Sequence, residues 1–344
     1  WKQSVPISSW LYTLGISRFA MKVVGYYEGK PVQSWVYAAE RDAGFRDMEE
    51  PTLDVLRFFS SYVGPFAYEK IANIESPVVG GGMEAASAIG YSEKIIDGKQ
   101  SKRIRNVIIH ELAHQWFGNA VTEQIWDDVW LSESFATYFT LRYIEHAYGR
   151  EEFLEELQKA KKLFQKHLAT QPPYPIVASR DPQEGPVTEY AVTYQKGAWV
   201  LYMLNALIGE KPFQDGIREY YRLYYNATAT TADLIRCMQK QTSLDLERFF
   251  RQWLKRPDQI QAGYSWKYDA RRKMLRIEIE QGGMEEDAFE FILPYQIVVK
   301  GDIMKLNKRI SRKKETWQIR CKNEPEKVLA DPEGTLLGVF TPAQ

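Results

Sequence analysis

The segment His110-Glu111-Leu112-Ala113-His114 constrains this chain more than any other stretch of it. Two histidines four residues apart on an α-helix lie on one face, one turn apart, so both imidazoles can reach one point in space. The glutamate between them falls beside that face, where its carboxylate can take a proton from a water held on a metal ion. Val107, Ile108, Ile109, Leu112, Ala113, Trp116 and Phe117 make the helix apolar on most of its circumference, which marks it as buried. Imidazoles and a carboxylate buried without partners are costly. One metal ion meets that need, and zinc is the expected species.

Two histidines leave a catalytic zinc one ligand short, because such sites use three protein ligands and keep a position open for water. The following helix offers Glu133, with eighteen residues between it and His114. It sits in an apolar stretch with Trp130, Phe135 and Tyr138 as neighbours. Asp127 and Asp128 compete for the role, but they precede the helix, where capping or supporting a ligand suits them better. The expected set is one zinc ion on His110, His114 and Glu133. The two other histidines, His146 and His167, are expected at the surface.

The chain has 344 residues, which suits about two domains of roughly 100–200 residues each. Apolar residues make up 44% and charged residues 26%, so a folded globular chain is expected rather than a disordered or coiled-coil one. Lys plus Arg and Asp plus Glu both number 45. A chain of zero net charge lacks the basic excess from which nucleic-acid binding draws its affinity. Cys237 and Cys321 are too few to staple a fold of this size or to build a thiolate zinc site. No apolar run reaches the roughly 18 residues that a membrane span requires.

The period of the apolar residues changes twice along the chain. Residues 1 to about 40 alternate as strands do, in Trp10-Leu-Tyr-Thr-Leu, Met21 to Tyr27 and Val32 to Tyr37, with a turn at Glu28-Gly-Lys-Pro. From Glu49 the spacing becomes helical, and Gly64-Pro65 stops it. Short strands follow at Ile71 to Ile74 and Val78-Val79, then three glycines. Ser101 can cap a helix from Lys102 to Phe117, with Gly118 beyond its end. Further helices fit Leu131 to Tyr148, a charged stretch from Glu151, Tyr190 to Leu207, and the text up to Lys255. Residues 176–187 fit a loop. After Arg256-Pro257 short alternating runs return at regular spacing, which predicts a β-sandwich. The fold class is α+β.

Three motifs in order resemble a known family. HELAHQWFGNAVT (110–122) with WLSESFATY (130–138) is similar to the zinc aminopeptidases of the gluzincin clan, the family of aminopeptidase N and leukotriene A hydrolase. YEKIANIESPVVGGGMEAASAI (68–89) resembles that family's exopeptidase signature, written GxMEN, and VTYQKGAWVLYML (192–204) resembles its tyrosine segment. The resemblance implies a thermolysin-like, mainly helical catalytic domain over 41–257. The family's β-sandwich would follow over 258–344, and 1–40 would be the final strands of a truncated N-terminal β-domain. It implies His110, His114 and Glu133 as zinc ligands, Glu111 as general base and Tyr194 as donor to the oxyanion. Glu84 would receive the substrate's α-ammonium, and the backbone of Gly81, Gly82 and Met83 would pair with the substrate as an added strand. The implied partners are peptides with a free N-terminus. Ala85 stands where the family has Asn, and Ser132 and Ser134 stand where it has Asn and Gly.

Two rival functions share these residues. A thermolysin-like endopeptidase has no use for an anionic anchor at the amine end, so the Gly-Gly-Met-Glu segment separates it from an aminopeptidase. A non-catalytic peptide-binding module on the same fold would be free to lose Glu111 or a ligand, and all are present.

Overall fold

The computed structural model describes residues 3–178, 187–284 and 287–343. The chain opens with a short 3-10 turn at Ser9–Leu11 rather than the strand expected around Trp10. Two strands follow, β1 (Phe19–Tyr27) and β2 (Lys30–Tyr37), joined by the expected turn at Glu28-Gly29. Helices α1 (Arg41–Glu49) and α2 (Thr52–Tyr62) come next. The first of them carries only a weak apolar stripe and was not legible. Strands β3 (Ile71–Ser76), β4 (Gly82–Met83) and β5 (Ala88–Ser92) complete one sheet in the order β1-β2-β3-β5-β4. Val78-Val79 lies outside any strand, since Pro77 ends β3 and the chain must turn back before β4.

The division expected at residue 40 does not coincide with a break between sheets. β2 runs parallel to β3, with Val32 opposite Ile71 and Trp35 opposite Ile74. The first two strands therefore extend the sheet whose far edge is β4. Alternation alone fixes a strand's faces but not its neighbour, which is why the partner could not be read from the text.

The helical layer begins with α3 (Lys102–His114), whose first turn is capped by the Ser101 hydroxyl accepting from the Ile104 N–H at 3.5 Å. It ends before Gly118, which has a φ of 108°, a value that excludes most side chains. A short strand β6 (Val121–Glu123) leads to α4 (Trp130–Tyr148), stopped by Gly149 as expected. Next come α5 (Arg150–Thr170) and, beyond the undescribed residues 179–186, a π-helical segment, Tyr190–Lys196, that runs into α6 (Gly197–Ile208). One regular helix was expected over these last two pieces. The loop expected at 176–187 falls mostly outside the described residues. α7 (Glu210–Tyr224), β7 (Ala227–Ala229), α8 (Thr231–Gln239) and α9 (Leu246–Lys255) complete the layer, and β7 pairs with β6.

The remaining strands are β8 (Ile260–Asp269), β9 (Met274–Gly282), β10 (Phe291–Val299), β11 (Asp302–Ile310), β12 (Lys314–Arg320), β13 (Lys327–Ala330) and β14 (Gly338–Pro342). They form a four-stranded sheet, β12-β9-β8-β14, and a three-stranded sheet, β11-β10-β13. Leu275, Ile277 and Ile279 of one sheet and Leu293, Tyr295 and Ile297 of the other are buried at alternate positions, the pattern of two faces packed on one core. The architecture is α+β. Cys237 and Cys321 are both buried and unpaired. Among the described residues no helix is long and apolar enough to cross a membrane.

Candidate active site

α3 and α4 pack side by side and bring three side chains to one point. His110 Nε2 and His114 Nε2 stand 3.1 Å apart, and Glu133 Oε2 lies 3.4 Å from the first and 3.3 Å from the second. Ligand bonds of about 2.0–2.1 Å set at tetrahedral angles would separate the donor atoms by about 3.3 Å, so the spacing suits zinc. The tautomer suits it too. His114 Nδ1 lies 3.1 Å from the Phe117 carbonyl, a partner that can only accept, so Nδ1 carries a proton and Nε2 is the nitrogen left for a metal ion, which would displace any proton there. Ser132 Oγ sits 3.0 Å from the same Nδ1. Glu133 Oε2 is buried with no hydrogen-bond donor, which is the condition of a ligand oxygen awaiting a cation.

The electrostatics ask for positive charge at the same place. Burial by itself would push the His114 imidazole down, but Glu84 and Glu133 outweigh it and hold it up at about 10. At Glu133 burial works upward and is overcome by the two imidazoles, leaving the carboxyl far below its ordinary range. Burial lowers His110. Glu111 is raised well above an ordinary carboxylate, first by burial and then by the charge of Glu84. Carboxylates gathered without a cation repel one another, and a divalent ion among them would relieve this.

A second triad shares a member with the first. Glu84, Glu111 and His114 offer ligand atoms all within 4.8 Å of one another. Glu84 follows β4 at the edge of the five-stranded sheet. Its carbonyl is held by the Gln115 side-chain amide at 3.1 Å and by the Asn119 amide at 2.6 Å. Gly82 rests against Glu111, and a Cβ there would collide with its carboxylate. Gln115 and Asn119 had no role in the sequence reading. Their signal was available, since two amides in so apolar a run need partners.

Tyr194 comes from the π-helical segment. Its ring lies over that of His110, with centroids 5.9 Å apart. Burial and the neighbouring Glu133 both raise its hydroxyl, so it stays protonated and able to donate. The Ser134 hydroxyl donates to the Thr193 carbonyl at 2.5 Å. Ser132 and Ser134, the two departures that flank Glu133, thus hold the His114 imidazole on one side and the tyrosine segment on the other. Of the remaining histidines, His146 is exposed and stacks on Phe58, with ring centroids 4.8 Å apart. His167 is not at the surface as expected but buried beside Glu189, at 3.7 Å. α5 turns it toward the layer. Both are apart from the cluster.

His110, His114, Glu133, Glu84, Glu111 and Tyr194 line a cavity of about 720 Å³ together with Trp10, Trp126 and Glu123. Glu123 also escaped the sequence reading, because a lone acid on a three-residue strand has no periodicity to mark it.

Known proteins resemble this chain in sequence and in fold. At 28% identity over 268 residues, a glutamyl aminopeptidase of Mus musculus matches 73% of this chain and 28% of its own length. A leucyl aminopeptidase of Saccharolobus solfataricus is 31% identical over 251 residues, covering 69% of this chain and 30% of its own. The chain thus spans under a third of the curated relatives it matches. The crystal structure of Legionella pneumophila aminopeptidase A in complex with aspartic acid superposes with a TM-score of 0.79 at 14% identity, covering 95% of this chain and 38% of that one. It attests the fold. Residues 49–253 match the family described as Peptidase family M1 domain. That match takes in the helices of both triads and more than half of the sequence, and so the chain belongs to peptidase family M1.

Proposed function

We propose that this chain is a zinc aminopeptidase, which removes the first residue from peptides with a free N-terminus. The observation that carries the reading is the sharing of His114 by two triads, which sets the Glu84 carboxylate close to the base and to the ligand cluster. His110, His114 and Glu133 would hold one zinc ion. When bound, the ion supplies Lewis acidity, lowering the pKa of a water and polarising the scissile carbonyl.

The chain's own residues do the rest. Glu84 pairs with the substrate's α-ammonium and so measures one residue from the free end. The backbone beside Gly82 lies at an open sheet edge, where an extended peptide can add as a strand. Glu111 takes the proton of the attacking water and later passes it to the leaving amine. Tyr194, kept neutral, donates to the oxygen on which negative charge develops. An endopeptidase has no use for the Glu84 anchor, and a binding module has no use for the Glu111 base.

The test is a panel of aminoacyl-arylamides, each with an N-acetylated twin. Free-amine substrates are expected to be cleaved and their twins not, because a blocked amine leaves Glu84 buried and unpaired. Equal cleavage of both would replace this reading with the endopeptidase one.

A further inference from the structure

The cleft holds more negative charge than the proposed reaction uses. Five carboxylates line it, from Glu84, Glu111, Glu123, Glu133 and Glu156, and among the described lining residues none is lysine or arginine. Glu156 is paired with Lys159 at 2.6 Å. Glu133 faces the two imidazoles, and in the proposed reaction Glu111 serves the water and Glu84 the α-ammonium. Glu123 alone has no counterpart. It is 8% exposed, and neither of its carboxylate oxygens has a hydrogen-bond partner in another residue. Such a group is costly unless a cation or donor reaches it. Burial pushes its carboxyl up to about 7, with Glu133 and Glu84 acting in the same direction against His114.

The surroundings suit a long side chain that ends in a charge. Trp10 and Trp126 line the same cavity, with ring centroids 5.9 Å apart and planes 50° apart. Val129 lines it too. Indole faces take both an aliphatic stem and a passing cation. Trp126 lies only three residues beyond Glu123, in the segment that leads from β6 into α4.

We propose that Glu123 receives the cationic side chain of the substrate's first residue, so that the cleft selects peptides beginning with lysine or arginine. The inference rests on the aminopeptidase reading above. It sets this chain apart from relatives named glutamyl aminopeptidase, since an acidic first residue would bring a further carboxylate into a cleft already crowded with them.

The test compares lysine with norleucine, which has the same stem length and no charge. For the native chain, kcat/KM for lysyl-arylamide should exceed that for the norleucyl compound by about tenfold or more, and the glutamyl compound should be the poorest. In Glu123→Gln the lysine-to-norleucine ratio should fall toward one. A native ratio near one overturns the proposal, and so does a ratio that survives the substitution. A uniform loss across all substrates in Glu123→Gln assigns the residue to amine binding or to structure and overturns it as well. Calorimetric binding of lysinamide against norleucinamide to the native chain gives the same discrimination without turnover. If no free-amine arylamide is hydrolysed at all, the aminopeptidase reading fails, while this binding ratio still decides the role of Glu123.

Discussion

The proposed ligand cluster and the proposed amine anchor are built by opposite means. His110 and His114 stand on a helix of 13 residues and Glu133 on one of 19. Both helices are buried, so backbone hydrogen bonds and packing fix the three donor atoms. Glu84 follows a strand of 2 residues at the edge of a sheet. Its position depends on contacts from elsewhere, namely the Gln115 and Asn119 amides on its carbonyl and the absence of a side chain at Gly82. A spacing of four on a helix is a local property of the chain. An acid placed beside it by a sheet edge is a tertiary one. The first should tolerate damage to its surroundings, and the second should transmit it to the base.

The largest effect is expected inside the helical region. Glu111→Gln keeps the shape of the side chain and removes its ability to take a proton. The rate should fall by about 10²–10⁴-fold, the usual share of general base catalysis. Zinc content, read by metal analysis after gel filtration, should stay at the native level. Loss of metal in this variant would mean that Glu111 belongs to the ligand set. The division between ligands and base on α3 would then have to be redrawn.

What could be read from the text follows the same division. The convergence of His110, His114 and Glu133 was legible because helical period converts sequence distance into spatial distance. The β-sandwich was legible from alternation. The pairing of β2 with β3 was not, because it joins residues about forty positions apart with nothing local to announce it. The apolar spacing around Tyr194 predicts ordinary helix, where the chain forms a π-helical segment. Apolar spacing does not report an extra residue per turn, and the bond from Ser134 to Thr193 comes from another helix. Glu84 was placed by resemblance, and Glu123 by neither route.

An intermediate effect is expected where the two regions touch. In Gly82→Ala the new Cβ would meet the Glu111 carboxylate. β4 is short and at an edge, so it can shift, but the shift displaces the substrate strand from the base. Misplacement by about 1 Å costs on the order of 10²-fold in rate. The loss should appear in kcat/KM, with zinc content unchanged and the melting temperature within a few degrees of native. An unimpaired Gly82→Ala enzyme would show that the anchor is independent of the base.

The smallest effect is expected at Ser132, on the far side of the ligand cluster. Its hydroxyl lies 3.0 Å from His114 Nδ1, and the Phe117 carbonyl lies 3.1 Å from the same atom. Groups that orient a ligand imidazole are worth about 10–100-fold in metal affinity. Ser132→Ala removes one of two such groups and leaves the carbonyl, which still fixes the tautomer. The helix is buried there, and alanine fits the space with only the oxygen missing. Zinc affinity, measured by competition with a chelator, should therefore fall by about tenfold, the low end of that range. The rate at saturating zinc should be close to native, because neither Glu111 nor Tyr194 is touched. A loss beyond about 100-fold would make the serine the principal partner of His114. The ligand cluster would then depend on a tertiary contact as the anchor does, and the contrast between the two regions would narrow.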